Sequence, residues 1–552
     1  MNKFLKTISY ILILNCLFLI INTSYGQNSG YSKPKLIIGI VIDQMRYEYI
    51  YRYWNNFGEK GFKKLINNGA LCTNAETGFL LNQSASSHAS ISTGAFPSTH
   101  GIISDEWYSR LSNKIIKCAV DPNTETIGSD SEDGRRSPIH LFSGTIGDEM
   151  KLNNKKSKII GISLKDHSAI FMAGHIIDAA YWFDSETGNW ISSSFYMNGL
   201  PTWVNDFNDK KLPDSYIARE WNLLLPKTSY SSGFEDNNLF EVGFGTRNNS
   251  FPYDLKKLQK RSLSNDYEIL KSTPFGNTLT TDFVLSAIEE GELGQDEITD
   301  LLMVSFSSTD YIGHLFGPHS FEIEDAFIRL DQEIGHFIDI VENSLGKENI
   351  LIFLTSSHGV ANIPKQMEAN KMHAGFFRYR NAVALLKSYL NAIYGHGDWI
   401  KYYYNQQLYL NRSLIEDTGI SLLEIQNTSA NFLVEFDGVA NVLVSSVLQS
   451  TDFSHGVFNK MQNSFNQKLS GDLLINLKPG WTEETDLATN HNSAYEYDVH
   501  VPLIWYGWKI QPKTIQRKVS LTDIAPTLAN FLHIQRPNSS CGITIYELIE
   551  LW

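Results

Sequence analysis

The 552-residue sequence predicts an α/β fold: a mostly parallel β-sheet flanked by helices, with two cap insertions. Three observations predict it. Several short runs are almost continuously apolar, as strands buried on both faces of a parallel sheet must be. Each run stops abruptly at polar or ionisable residues. Between the runs lie stretches of helical period, such as "FEIEDAFIRLDQEIGHFIDIVENSLG", which closes on Gly346. Apolar residues make up 42% and aromatics 12% of the chain, enough for a large core and too much for global disorder.

The elements follow in order. Lys3 and Lys6 precede the apolar "ISYILILNCLFLII", and Ser24 and Gly26 precede Gln27, the pattern of a signal peptide over residues 1–26. The apolar run is short for a membrane span. Cleavage takes the net charge from −14 to −16, because Lys3 and Lys6 leave and no acid does. No basic tract stands out, which argues against nucleic acid or an anionic membrane surface as the main partner. The expectation is one exported domain over residues 27–552, periplasmic or secreted. It is expected to be monomeric and to have no stable membrane association after cleavage. Cys72, Cys118 and Cys541 remain, enough for one disulfide and one leftover thiol. There is no CxxC pair, so thiolate zinc sites are excluded.

"KLIIGIVID" ends at Asp43, and "LNQSASSHASISTGAFPSTHG" reads as a helix opening near Ser84 and ending near Gly94. "SKIIGISLKDH" ends at Lys165 and His167, "DLLMVSFSSTD" at Asp310 and "NILIFLTSSH" at His358; "HVPLIWYGW" is a further run near the C-terminus. Residues 178–275 and 365–485 break the alternation and read as insertions that cap the sheet. Sites in open parallel sheets form outside the carboxyl ends of the strands, which is where the ionisable residues collect here.

Asp310 and His314 are spaced i,i+4, so on a helical turn both face one metal ion, and their donor atoms suit zinc. Alone, such a pair more often marks a solvated helix face. Ser84 at a helix start lies where backbone N–H groups favour an anion. Plain N-capping by Ser84, Ser86 or Ser87 is the alternative. There is no Gly-x-Ser-x-Gly elbow, GxGxxG or Walker-type loop. His88, His100 and His175 read as structural, satisfied by backbone hydrogen bonds. Arg135 and Arg136 read as a solvated turn. Asp498 and His500 either support His491 or serve the loop before a strand.

In this order, Asp43, Ser84, Lys165, Asp310, His314, His358 and the late "TNHNSAYEYDVHVPLIWYGW" resemble the alkaline phosphatase superfamily. The branch is the type I phosphodiesterase/nucleotide pyrophosphatase one, and within it the exported, phosphate-irrepressible alkaline phosphatases. "GIVIDQMRYEYIYRYW", "STGAFPSTHGI", "GISLKDHSAIFMAGH", "SFSSTDYIGHLFGP" and "LTDIAPTLANFL" carry the likeness, from about Pro34 to the C-terminus. The resemblance implies two zinc ions. Asp310, His314 and His491 would hold one; Asp43, His358 and the Ser84 oxygen would hold the other. It implies a small phosphorylated substrate, a phospho-Ser84 intermediate and contact of Lys165 with the transferred phosphoryl group.

Four positions depart from the family pattern. Ser84 replaces the usual Thr nucleophile. Ser357 replaces the Asp before "HG", a much poorer zinc ligand. Asp105 replaces an Asn that holds a phosphate oxygen. His167 replaces the Arg of the monoesterases and lacks its bidentate fork. Two readings follow. Either Asp105 supplies the carboxylate missing at Ser357 and the site is rebuilt, or the site has decayed to a binding protein. The rebuilt, active hydrolase of phosphate monoesters is the favoured reading, with a phosphodiesterase as the alternative.

Overall fold

A computed structural model describes residues 32–231, 235–245, 249–261 and 266–549. The expected signal peptide over residues 1–26 lies outside the described residues. The elements that position the site are β1 (Leu36–Ile42), β2 (Ala70–Glu76), α1 (Ser84–Thr93), β3 (Ile159–Ser163), α2 (Asp166–Ala173), β4 (Ala179–Asp184), β5 (Asn189–Ser193), α3 (Pro274–Glu290), β6 (Asp300–Phe306), α4 (Ser308–Phe316), α5 (Phe321–Leu345), β7 (Ile350–Ser356), β8 (His500–Gly507) and α6 (Ile524–Leu532).

An eleven-stranded sheet runs in the order Lys513–Ile515, β2, β8, β7, β1, β6, β3, β4, β5 and Thr126–Ile127, with Val519–Ser520 also on β2. The five strands β7, β1, β6, β3 and β4 are parallel. β8 runs antiparallel to both β7 and β2, and β5 antiparallel to β4.

Every residue of β1, β6 and β7 is buried, as strands covered on both faces require. Alternation decides which face each side chain serves. Leu36, Ile38, Ile40 and Ile42 join the core beneath α3 and α5, whereas Ile37 and Val41 join the core beneath α1, α2 and α6. Gly39 is required where the layers close, since a Cβ there would lie 2.5 Å from Met303 Sδ and from the Phe353 ring. α5 opens with Ser320 Oγ accepting from the Ile323 N–H, and Gly346 follows it with positive φ.

The register sets up the site. Ile42 pairs with Phe306 on one side and Ser356 on the other, so Asp43, Ser307 and Ser357 leave the sheet at one level.

Two expectations change. Residues 179–193, within the first expected insertion, form β4 and β5 of the main sheet, so extra structure begins only after Ser193. The allowance for a disulfide is not used, because Cys72, Cys118 and Cys541 are all free thiols. Residues 365–485 hold a separate four-stranded sheet (Ile400–Tyr404, Gln407–Leu410, Leu473–Leu477, Val439–Val444) with its own apolar cluster around Leu386, Leu390 and Trp399.

Candidate active site

Ser84 is the first residue of α1, and its side chain is not spent on capping. Ser86 bonds the Leu81 and Gln83 carbonyls. Ser84 Oγ instead lies 3.1 Å from Lys165 Nζ and 3.3 Å from His358 Nε2, at 4% exposure. Lys165 is the residue before α2, and His358 follows β7 by two residues.

One corner of the site gathers Asp310, His314 and His491, whose ligand atoms all lie within 4.8 Å of one another. Asp310 and His314 share a face of α4, with His314 Nε2 3.2 Å from Asp310 Oδ1. His314 Nδ1 donates to the Thr489 carbonyl at 3.0 Å and turns Nε2 to the carboxylate; burial opposes the imidazolium, but Asp310 outweighs burial and raises its pKa above the ordinary value. Burial, with His358 and His314 nearby, holds His491 well below the usual histidine range. His491 Nδ1 is buried with no hydrogen-bond partner. The loop carrying His491 is pinned on three sides. Asn82 Oδ1 accepts from Asn492 N–H (3.0 Å), Gln406 Nε2 donates to the Asn492 carbonyl (2.7 Å), and Asp498 Oδ2 accepts from Ser493 N–H (2.8 Å). Asp498 therefore serves the loop.

The other corner gathers Asp43, Ser357 and His358. Ser357 Oγ donates to Asp43 Oδ1 at 2.8 Å. His358 Nδ1 donates to the Gly359 carbonyl at 2.9 Å, so its unprotonated Nε2 faces Ser84. The rings of His358 and His491 stack at 3.8 Å. Lys165 lies between the corners. Its ammonium donates to Asp310 Oδ2 at 2.7 Å and lies 3.1 Å from Asp43 Oδ2. Burial favours its neutral form, but the charges of Asp310 and Asp43 outweigh burial and hold it well above the ordinary lysine value. Burial likewise opposes the Asp43 anion, and Lys165 and His88 outweigh it, holding Asp43 well below the usual range.

The expectation that Asp105 replaces the carboxylate missing at Ser357 is corrected. Among the described residues, Asp310, His314 and His491 are the one set of three or more His, Cys, Asp or Glu residues whose ligand atoms converge; Asp105, Asp43 and His358 do not. The reason is placement. Asp105 sits after a turn anchored by Gln83, whose Oε1 accepts from its N–H at 2.8 Å, and its charge acts on His167 and Tyr404. Asp105 Oδ1 and His167 Nε2 are both buried without a hydrogen-bond partner. Burial opposes the His167 cation, but the Asp166 hydrogen bond and the Asp105 and Asp166 charges raise its pKa above the ordinary value.

Three further readings change. His88 is not satisfied by backbone. Its Nε2 lies 3.2 Å from Asp43 Oδ1, near enough for charge attraction but outside hydrogen-bond geometry. Arg136 is not solvated, because it pairs with Asp166, which in turn holds His167 Nδ1 at 3.0 Å. His100 and His175 keep structural roles, each with one backbone partner and one side-chain partner. Gln44 was missed altogether. Its backbone has φ 63°, and its amide donates to Asp310 Oδ1 at 2.6 Å. Gly313 makes room for it, since a Cβ there would lie 1.8 Å from Gln44 Oε1. A cavity of about 170 Å³ adjoins the site, lined by Gln83, Tyr404, Asn405, Asn490 and Asn492.

Known proteins share much of this sequence and fold. The profile of the family described as type I phosphodiesterase / nucleotide pyrophosphatase matches residues 37–494. A Myroides odoratus protein named a calcium-transporting ATPase is 38% identical over 94% of this chain and 95% of its own. Among the described residues, no helix is long and apolar enough to cross a membrane. The alkaline phosphatase PafA of Elizabethkingia meningoseptica is 37% identical over 95% of this chain and 96% of its own. A crystal structure of wild-type alkaline phosphatase PafA superposes with a TM-score of 0.90 at 36% identity, covering 94% of this chain and 99% of that one. By this family match and this likeness over nearly its whole length, the chain belongs to the type I phosphodiesterase/nucleotide pyrophosphatase family of hydrolases.

Proposed function

We propose that this protein is an exported, zinc-dependent alkaline phosphatase that hydrolyses small phosphate monoesters through a phospho-Ser84 intermediate. The observation that carries the reading is the placement of Ser84 Oγ at a helix N-terminus, within 3.1 Å of Lys165 Nζ and 3.3 Å of His358 Nε2, beside the converging Asp310, His314 and His491.

The donor set Asp310, His314 and His491 fits a zinc ion: three protein ligands, both imidazoles presenting a nitrogen, and the carboxylate fixed by Gln44. Bound there, zinc would supply Lewis-acid stabilisation of charge developing on an ester oxygen. The second expected set fits poorly. Asp43 is its one carboxylate, Ser357 offers a hydroxyl already donated to Asp43, and Ser84 adds a second neutral oxygen. No step is assigned to a second ion.

The chain's own groups account for the rest. Ser84 Oγ attacks phosphorus while His358 Nε2 accepts its proton. The P–O bond to the leaving group breaks, the leaving oxygen takes that proton from His358 and departs as the alcohol, and Ser84 carries the phosphoryl group. Water then attacks phosphorus and gives a proton to His358; the bond to Ser84 Oγ breaks, phosphate leaves, and Ser84 takes the proton from His358. Lys165 steadies the nucleophile and the phosphoryl oxygens, and the N-terminal N–H groups of α1 favour the same anion. His167, held by Asp166, offers Nε2 toward the substrate.

One observation favours a diester instead: the unpartnered carboxylate oxygen of Asp105 repels a second negative charge. Turnover of p-nitrophenyl phosphate and bis-p-nitrophenyl phosphate, by the mature protein with added zinc, separates the two. The monoester is expected to be the better substrate, with its turnover lost in Ser84→Ala. Turnover of the diester alone would assign the alternative, and no turnover above Ser84→Ala would contradict hydrolysis.

A further inference from the structure

The Lys165 ammonium stands where two corners of one site need a positive charge. It touches the nucleophile at 3.1 Å, Asp310 Oδ2 at 2.7 Å and Asp43 Oδ2 at 3.1 Å. Its hydrogen bonds go to Ser84 and Asp310, while Asp43 Oδ2 accepts none and faces the ammonium as an ion pair. All three partners are buried, Asp43 fully. We infer that this protein binds a single metal ion, at Asp310, His314 and His491, and that the Lys165 ammonium serves as the second positive centre of the site. The inference rests on the proposed phosphatase reading and concerns its cofactor count.

Charge and donor chemistry argue it. A second divalent ion would sit about 4 Å from the first, as two-metal hydrolytic sites require, and the two cations repel at that distance. Such a pair is held together by carboxylates. In the Asp43 corner the position after β7 is Ser357, a neutral hydroxyl, so Asp43 is the one carboxylate there. Its Oδ1 accepts from Ser357 and faces His88 at 3.2 Å, and its Oδ2, which accepts no hydrogen bond, lies 3.1 Å from the ammonium. The imidazole ring of His358 lies flat against His491, a ligand of the first corner, and its Nε2 is turned to Ser84. One compact monovalent cation neutralises Asp43 and reaches the nucleophile, as a second metal ion would, without the missing carboxylate. Lys165 is fixed for this by its place just before α2 and by the Tyr311 ring, whose centroid lies 5.2 Å from Nζ.

The test counts metal. The mature protein is saturated with zinc, freed of excess, and measured by native mass spectrometry and elemental analysis. About one zinc per chain is expected, about none in His491→Ala, and about two in Ser357→Asp, where the carboxylate returns. Two zinc ions per wild-type chain, with p-nitrophenyl phosphate turned over, would overturn the single-metal inference and leave the phosphatase reading standing. No bound zinc and no turnover would overturn both. A Ser357→Asp protein that folds, by circular dichroism, yet stays at one zinc would contradict the assignment of the deficit to Ser357. If that variant does not fold, the wild-type count decides.

Discussion

The Asp310 corner and the Asp43 corner lie at the same carboxyl edge of one sheet, yet they are built differently. In the first, a carboxylate and two imidazoles converge, and backbone or amide partners hold Asp310 and His314 in place. In the second, the carboxylate accepts from a hydroxyl and lies beside the ammonium it shares with Asp310, and the imidazole turns to the nucleophile. The difference teaches that family likeness locates a site without fixing its chemistry. Here Ser357 offers Asp43 a hydroxyl, and Asp43 takes a hydrogen bond and an ion pair where Asp310 joins a converging ligand set.

Substitutions break the comparison most sharply where the corners differ most. His491→Ala removes one of three converging ligands and is expected to cut kcat/KM for p-nitrophenyl phosphate roughly 10³-fold or more, since Lewis-acid stabilisation amounts to several kcal/mol. Ser357→Ala, in the other corner, removes one hydrogen bond to Asp43 and is expected to cost only a few-fold, the equivalent of about 1 kcal/mol. Steady-state kinetics on the two purified variants checks both, and equal losses would erase the distinction.

A smaller effect sharpens the account of the first corner. Gln44→Ala frees Asp310 Oδ1 while leaving every proposed ligand in place. Loss of a residue that orients a ligand typically costs about 10–100-fold in metal affinity or activity. A zinc titration followed by turnover is expected to show the loss mainly as weaker zinc affinity, recovered at high zinc.

The smallest effect lies away from both corners and separates the pH dependence of stability from that of the site. Burial pushes the Glu322 carboxyl up to about 8 from an ordinary 4.5, and its Oε1 accepts from the Tyr253 hydroxyl at 2.6 Å. The fold keeps this proton between those values while the unfolded chain releases it, so stability falls as pH rises from about 4.5 to 8. Glu322→Gln is expected to flatten that slope, raising stability at pH 8 relative to wild type by on the order of 1–3 kcal/mol and leaving pH 4 nearly unchanged. Urea unfolding at both pH values measures it.

Much of this was legible in the sequence, for physical reasons. Apolar runs ending in charge mark buried parallel strands, and the order Asp43, Ser84, Lys165, Asp310, His314, His358, His491 carried the family likeness. The direction of β8 was not legible, because a fully buried run looks alike in parallel and antiparallel neighbours. β4 and β5 were hidden by the Trp, Asn, Ser and Asp of 179–193, a composition that also suits loops. Gln44 carries no charge and matches no spacing rule; its role depends on a left-handed backbone and on Gly313 opposite. Arg136 was misread because its partner Asp166 lies 30 residues away. The Asp105 expectation failed because carboxylates can be counted in a sequence but their distances cannot.

The most direct test of the central claim is to trap the intermediate. The zinc-loaded protein is mixed with p-nitrophenyl phosphate, quenched in acid, digested and analysed by mass spectrometry. One added phosphoryl group is expected on the peptide that carries Ser84, absent in Ser84→Ala. Turnover with no phosphoserine, or with the phosphoryl group on another residue, would contradict it.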